Sequence, residues 1–216
     1  MMIRLLGVSG SPVKGGNTET FLLKALDFAA TLGDVSTKMV SLAEKKISDC
    51  IHCNWCLTKQ EEGKPCVQED AMQEIYPMVI EADAIILASP VYVARLSGYM
   101  AAFMDRLRVF GHGNHYKGVL VDKVGGALGV GWFRHGGIET TLLSIVYGFM
   151  TFEMIPVGTG LGSPWGAPAL ASQGGMGIFD RKQRLGVLED EFALRSMELL
   201  IKRMVSVTKK VKGIRD

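Results

Sequence analysis

The sequence predicts an α/β protein built on an open, five-stranded parallel sheet with helices on both faces. Three features carry that expectation. Short apolar runs alternate with segments of helical period along the chain. Ala84–Ala88 is apolar without a break, as a central parallel strand buried on both faces requires. Three loops rich in Gly, Ser or aromatic residues each follow a strand, where such sheets bind ligands.

Ile3–Val8 reads as the first strand and leads into the loop Ser9-Gly10-Ser11-Pro12-Val13-Lys14-Gly15-Gly16. A helix follows from Asn17 or Thr18, with Phe21, Leu22, Ala25, Leu26 and Ala29 at helical spacing. Val35–Leu42 is the second strand, and the segment Cys50–Cys66 comes after it. Asp70 suits an N-cap for a helix to about Glu81, where Pro77 predicts a kink or a late start. Ala84–Ala88 is the third strand, and a helix runs from about Gly98 to Val109. Val124–Val130 makes the fourth strand, Glu139–Phe149 a helix, Met154–Val157 a short fifth strand and Leu188–Val211 the closing helix. The glycine-rich stretch 158–187 reads as a long loop, either a plain surface loop or a lid or subunit contact.

The 216 residues suit one large domain over 1–216. With 48% hydrophobic and 21% charged residues, the composition excludes a disordered chain. The net charge of +2 carries no footprint of nucleic-acid or membrane binding. Lys209, Lys210, Lys212 and Arg215 suit a solvated helix end, where cations meet the negative end of the dipole. No apolar run approaches the roughly 18 residues of a spanning helix, and Met1–Val8 reads as a strand rather than a signal peptide. A cytoplasmic location is therefore expected, where cysteines seldom form structural disulfides.

The first loop ends at a helix N-terminus, where free N–H groups attract an anion. Ser9, Ser11, Asn17 and Thr18 add side-chain donors, a cradle suited to a terminal phosphate; taken alone, an ordinary capped turn fits as well. It lacks the Gly-Lys-Ser/Thr of a Walker loop and any Gly-x-Gly-x-x-Gly. The second loop, Pro90-Val91-Tyr92-Val93, and the third, Trp132 to Gly137 with Arg134, His135 and Gly136, can hold a flat heteroaromatic ring between them. His135 is suited to proton delivery or to a hydrogen bond with that ring. Asp105 and Arg106 read as partners on a helix surface.

Cys50, Cys53 and Cys56 form a compact run, with Cys66 after nine intervening residues. Four such thiols suit a [4Fe-4S] cluster. Zinc on Cys53, Cys56, Cys66 and either Cys50 or His52, a redox disulfide and free thiols remain alternatives. The polar insert from Lys59 to Lys64 has Gly63 placed to turn the chain back.

Gly7-Val8-Ser9-Gly10-Ser11-Pro12 with Gly16-Asn17-Thr18-Glu19, then Ser89-Pro90-Val91-Tyr92, then Arg134-His135-Gly136-Gly137 with Glu139-Thr140-Thr141, resemble the NADPH-dependent FMN reductase superfamily. The cysteine segment resembles that of its iron–sulfur flavoproteins, with a longer final gap than they usually have. The resemblance implies a flavodoxin-like three-layer sandwich with strand order 2-1-3-4-5 and a homodimer or homotetramer. It implies FMN with its phosphate on Ser9, Ser11, Asn17 and Thr18, and its ring against Pro90–Val93 and Arg134–Gly137. Val13 stands where many relatives carry Arg, leaving Lys14 or backbone groups to balance the phosphate. The function implied is electron transfer between a one-electron donor such as ferredoxin and a small acceptor. An NAD(P)H-dependent FMN or quinone reductase with incidental cysteines is one alternative; a cysteine-based redox or zinc sensor is another. Trp165 is a candidate cover for a neighbouring subunit's flavin.

Overall fold

The computed structural model describes residues 2–160, 163–178 and 181–214. Residues 161, 162, 179 and 180 of the glycine-rich stretch, and Arg215 of the basic C-terminus, lie outside the described residues. The strands are β1 (Ile3–Ser9), β2 (Val35–Ser41), β3 (Ala84–Tyr92), β4 (Arg95–Leu96), β5 (Val124–Gly131), β6 (Ile155–Pro156) and β7 (Ala167–Leu170). The sheet runs β2-β1-β3-β5-β6, all parallel, which is the expected order once the two extra strands are set aside.

The helices are α1 (Asn17–Ala30), α2 (Trp55–Thr58), α3 (Met72–Glu81), α4 (Gly98–Arg106), α5 (Arg108–Gly111), α6 (Ile138–Thr151) and α7 (Glu191–Val211). Strand alternation divides the core into two layers. Ile3, Leu5, Ala84 and Ile86 face α1 and α7, where Phe21, Leu22, Leu200 and Met204 pack. Leu6, Val8, Ile85 and Leu87 face α3, α4 and α6, where Ile75, Phe103 and Ile145 pack. The glycines of β5 let the layers close tightly. A Cβ on Gly126 would lie 2.3 Å from the Met204 sulfur, and one on Gly125 2.7 Å from the Phe149 ring.

Several boundaries differ from the sequence expectation. β3 continues to Tyr92, because Val91 and Tyr92 pair with Leu96 and Arg95 of β4 in a hairpin. α3 starts at Met72 and runs through Pro77. Asp70 still serves its start, accepting the Met72 N–H at 3.0 Å. α7 begins at Glu191, where the Asp190 carboxylate accepts the Ala193 N–H at 3.0 Å.

The stretch 158–187 is not one long loop. β7 lies in it and pairs with the carboxyl half of β5, from Leu128 to Gly131, while β6 pairs only with Val124 and Gly125. Two short strands thus share one edge of β5. Gly166 makes this possible: its φ is +136°, and a Cβ there would lie 2.2 Å from the Ala127 carbonyl oxygen. Trp165 packs against this chain's own core.

Candidate functional site

A cleft of about 700 Å³ opens at the carboxyl ends of β1, β3 and β5, lined by Ser11, Val13–Thr18, Pro90, Val91, Tyr92, Val130, Trp132, Ala171, Arg184 and Leu185. That volume suits a medium-sized cofactor. α1 begins beside it at Gly16 with no side-chain cap, which leaves its first N–H groups for an anion. Glu19, buried in the first turn, steadies the approach. One carboxylate oxygen accepts the Gly15 N–H at 2.6 Å, and the other accepts the Ser41 hydroxyl.

Buried serines hold the first two loops together. The Ser97 hydroxyl donates to the Gly10 carbonyl at 2.6 Å and accepts the Met100 N–H at 3.1 Å. The Ser97 N–H donates to the Ser89 hydroxyl at 3.0 Å. Gly10 must be small here, since a Cβ would lie 2.6 Å from that of Met100.

Of the residues expected to hold a cofactor, Ser11, Val13, Lys14, Gly16, Asn17, Thr18, Pro90, Val91, Tyr92 and Trp132 line this cleft. The others take different places. Ser9 is buried, and its hydroxyl accepts the Ser11 N–H at 3.4 Å, inside the turn. Pro12 is half-buried and is not part of this lining. Val93 stands almost fully exposed at the tip of the β3–β4 hairpin, with a left-handed φ of 50°. Arg134 lines an adjoining pocket of about 470 Å³ with Trp132 and Arg184. His135 is exposed. Gly136 and Gly137 close the turn into α6, and a Cβ on Gly137 would lie 2.4 Å from the Ala94 Cα.

Two further facts alter the expected phosphate contacts. The Asn17 amide is engaged by the chain itself, donating to the Arg184 carbonyl at 3.0 Å and accepting the Val187 N–H at 3.2 Å. Lys14 pairs with Glu44 at 3.3 Å on the surface. Arg184 supplies another cation to the lining, and sequence reading missed it because it lies in the stretch read as a loop. Burial, reinforced by neighbouring Tyr99, pushes the Tyr92 phenol up.

All four cysteines are free and line a second, smaller pocket, with Ile51, Asn54, Trp55, Asp105, Arg106, Arg108 and Val109 on its wall. The cavity is about 20 Å³. Cys56 and Cys66 are buried, Cys50 is half-buried and Cys53 is exposed. His52 is exposed and not part of this lining. Among the described residues, no set of three or more His, Cys, Asp or Glu is arranged to hold a single metal ion. Burial pushes the Cys56 thiol up, Arg108 opposes this, and the thiols of Cys66, Cys50 and Cys53 add to the rise.

The insert between Cys56 and Cys66 is ordered by Gln60. Its amide donates to the Pro65 carbonyl at 2.8 Å and the Val109 carbonyl at 3.1 Å. Its oxygen accepts the N–H groups of His115 and Tyr116, both at 3.1 Å. Gly63, at φ +78°, turns the chain, and its N–H donates to the Tyr116 hydroxyl at 2.7 Å. The long gap thus folds back and sets Cys66 near Cys56.

The reading of Asp105 and Arg106 as a surface pair is overturned. Arg106 is 1% exposed and reaches across to Asp70, at 2.5 Å and 3.2 Å. It also donates to the Ser48 carbonyl at 2.9 Å and to Cys66 Sγ at 3.5 Å. Asp105 faces the cysteine pocket instead, where burial, then Asp49, push its carboxyl up. α4 separates Arg106 from Met100, which packs against Gly10 of the first loop, by six residues, about 9 Å of helical rise.

Fold and cleft together define a flavodoxin-like protein with an open cleft at its strand ends. The NADPH-dependent FMN reductase family matches residues 3–163. The chain is 35% identical to an iron–sulfur flavoprotein of Methanocaldococcus jannaschii over 213 residues, 98% of this chain and 100% of that one. It is 34% identical to an iron–sulfur flavoprotein of Archaeoglobus fulgidus over 212 residues, 97% of this chain and 100% of the other. Among solved structures, RosB with a bound 8-demethyl-8-formylriboflavin-5'-phosphate superposes with a TM-score of 0.76 at 14% identity, over 98% of this chain and 81% of RosB. The chain belongs to the NADPH-dependent FMN reductase family and is a flavin-dependent oxidoreductase that uses FMN. No helix among the described residues is long and apolar enough to cross a membrane.

Proposed function

We propose that this protein is an electron carrier of the iron–sulfur flavoprotein type, with FMN in the strand-end cleft and a [4Fe-4S] cluster on Cys50, Cys53, Cys56 and Cys66. The observation that carries this reading is the gathering of four free cysteines around one pocket, across a nine-residue gap that Gln60 folds back. Zinc requires four ligands within about 2.3 Å of one point. A cubane spreads its thiolates over four irons, which suits donors that do not converge on one ion. Loading it requires the arm of half-buried Cys50 and exposed Cys53 to move outward from the small cavity, which buried Cys56 and Cys66 also line. Together, a bound cluster and flavin supply one-electron and two-electron chemistry respectively.

The chain's own residues do the rest. Ser11, Thr18 and the first N–H groups of α1 hold the phosphate, with Lys14 and Arg184 adding charge. Pro90, Val91, Tyr92 and Trp132 enclose the ring. Electrons come from a ferredoxin-like donor or NAD(P)H and leave to a small acceptor in the cytoplasm. Apolar Tyr92, Val93 and Phe133 are exposed near the cleft, and a second copy covering them makes a homodimer or homotetramer.

Protein purified without oxygen after iron-replete expression tests this. The expected result is flavin absorption plus a broad shoulder that bleaches on reduction, with iron and sulfide in equal amounts. Flavin bands without iron would leave an NAD(P)H-dependent FMN or quinone reductase. Zinc without flavin would leave a cysteine-based sensor.

A further inference from the structure

We infer that Arg106, held in place by Asp70, is a positioning residue that sets the reduction potential of the cluster on Cys66. This rests on the cluster reading above.

The guanidinium is 1% exposed, so its charge acts in a medium of low dielectric. One terminal nitrogen donates to both Ser48 and Asp70, and the other to Asp70 and to Cys66 Sγ. Its Nε–H is buried and has no hydrogen-bond partner among the described residues, although the side chain lines the cysteine pocket. A buried ion pair is weak evidence of a stabilising role, because apolar residues of similar volume often serve stability as well. An incompletely satisfied cation against a thiol therefore points to the sulfur. Tyr76 converges on the same place: its hydroxyl donates to the Arg106 carbonyl at 3.4 Å, and it also interacts with Cys66.

Reduction of the cluster adds one electron and breaks no bond. The added negative charge is stabilised by a nearby cation, and a hydrogen bond to the ligand sulfur withdraws charge from it. Both effects raise the potential. Asp70 is the opposing charge: it fixes the guanidinium in contact with Cys66 and cancels part of its field.

These two residues give the test opposite signs. The midpoint potential of the cluster is measured in anaerobic holoprotein with dithionite and mediators, followed by electron paramagnetic resonance. Arg106→Gln is expected to disfavour reduction at least tenfold, a fall of about 59 mV for one electron. Asp70→Asn is expected to raise the potential, and Arg106→Lys to stay closer to wild type than Arg106→Gln. A purely structural ion pair predicts no such opposition, since both neutral variants break the same contact. Shifts of one sign in both, or none, would overturn the inference. If Arg106→Gln assembles no cluster, Asp70→Asn decides alone: a rise supports the inference, and no change or a fall overturns it. Iron-free wild type overturns the cluster reading and the inference with it. Loaded wild type with unmoved variants overturns only the inference.

Discussion

The cofactor cleft and the cysteine pocket are built in opposite ways. The cleft is made of strand-to-helix turns, its first two loops joined by the neutral Ser97, Ser89 and Gly10. The cysteine pocket is an excursion after β2, with Arg106 on its wall, that is tied down by buried charge and a buried amide, the Arg106–Asp70 pair and Gln60. A turn at a strand end inherits its position from the sheet. An excursion has no such frame, so it needs strong polar contacts to elements distant in sequence. The two regions should therefore fail separately.

The largest separation is expected from Cys56→Ser, at the buried wall of the pocket. Iron content should fall to background while FMN stays near one per chain, read by iron analysis and flavin absorption. Loss of both would mean that the two sites are one unit.

Gln60→Leu sharpens the same contrast. It strips partners from the Pro65 and Val109 carbonyls and from the His115 and Tyr116 N–H groups. Unsatisfied buried groups cost about 1–3 kcal/mol each before relaxation, so a net loss of roughly 3 kcal/mol in urea unfolding is expected. FMN affinity should stay within about twofold.

This difference in construction also explains what the sequence disclosed. The sheet order and ten of the cleft residues were legible because a strand, its following loop and the next helix are contiguous. The four cysteines were legible as a set from their spacing. Arg106 was not: its partners Asp70 and Cys66 lie 36 and 40 residues away, and next to Asp105 it looks like half of a surface pair. Arg184 and β7 were hidden for a related reason. Ala167-Pro168-Ala169 has neither β-branched residues nor a polar alternation, and only its pairing with β5 makes it a strand. Asn17 lines the cleft, but its amide serves Arg184 and Val187, a contact across 167 and 170 residues.

On the cleft side, Arg184→Ala is expected to weaken FMN binding about tenfold, roughly 1.4 kcal/mol, by fluorescence titration of the apoprotein. Iron content should be unchanged. An unaltered affinity would return the charge balance to Lys14 and the α1 N–H groups.

The smallest effect expected is a response to acid confined to one region. Burial pushes the Asp70 carboxyl up, but hydrogen bonds from Arg106 and from the Ser48 and Met72 N–H groups, with the Arg106 charge, hold it below its ordinary 3.8. A lowered carboxylate value means that the folded state binds protons less readily than the unfolded one. The stability it contributes is fully present above 3.8 and is lost as the pH falls through the lower folded value. Protonation releases Arg106 from its ion pair beside Cys66, while the Ser97, Ser89 and Gly10 contacts that join the first two cleft loops carry no titrating group. Hydrogen exchange of the apoprotein, compared at pH 6 and at about pH 3, should therefore show loss of protection around Ser48 and the start of α3 before the loop at Gly10. Asp70→Asn should remove most of that pH dependence. Equal loss in both regions would mean that buried charge does not distinguish them, and that the cysteine pocket draws its order from the sheet after all.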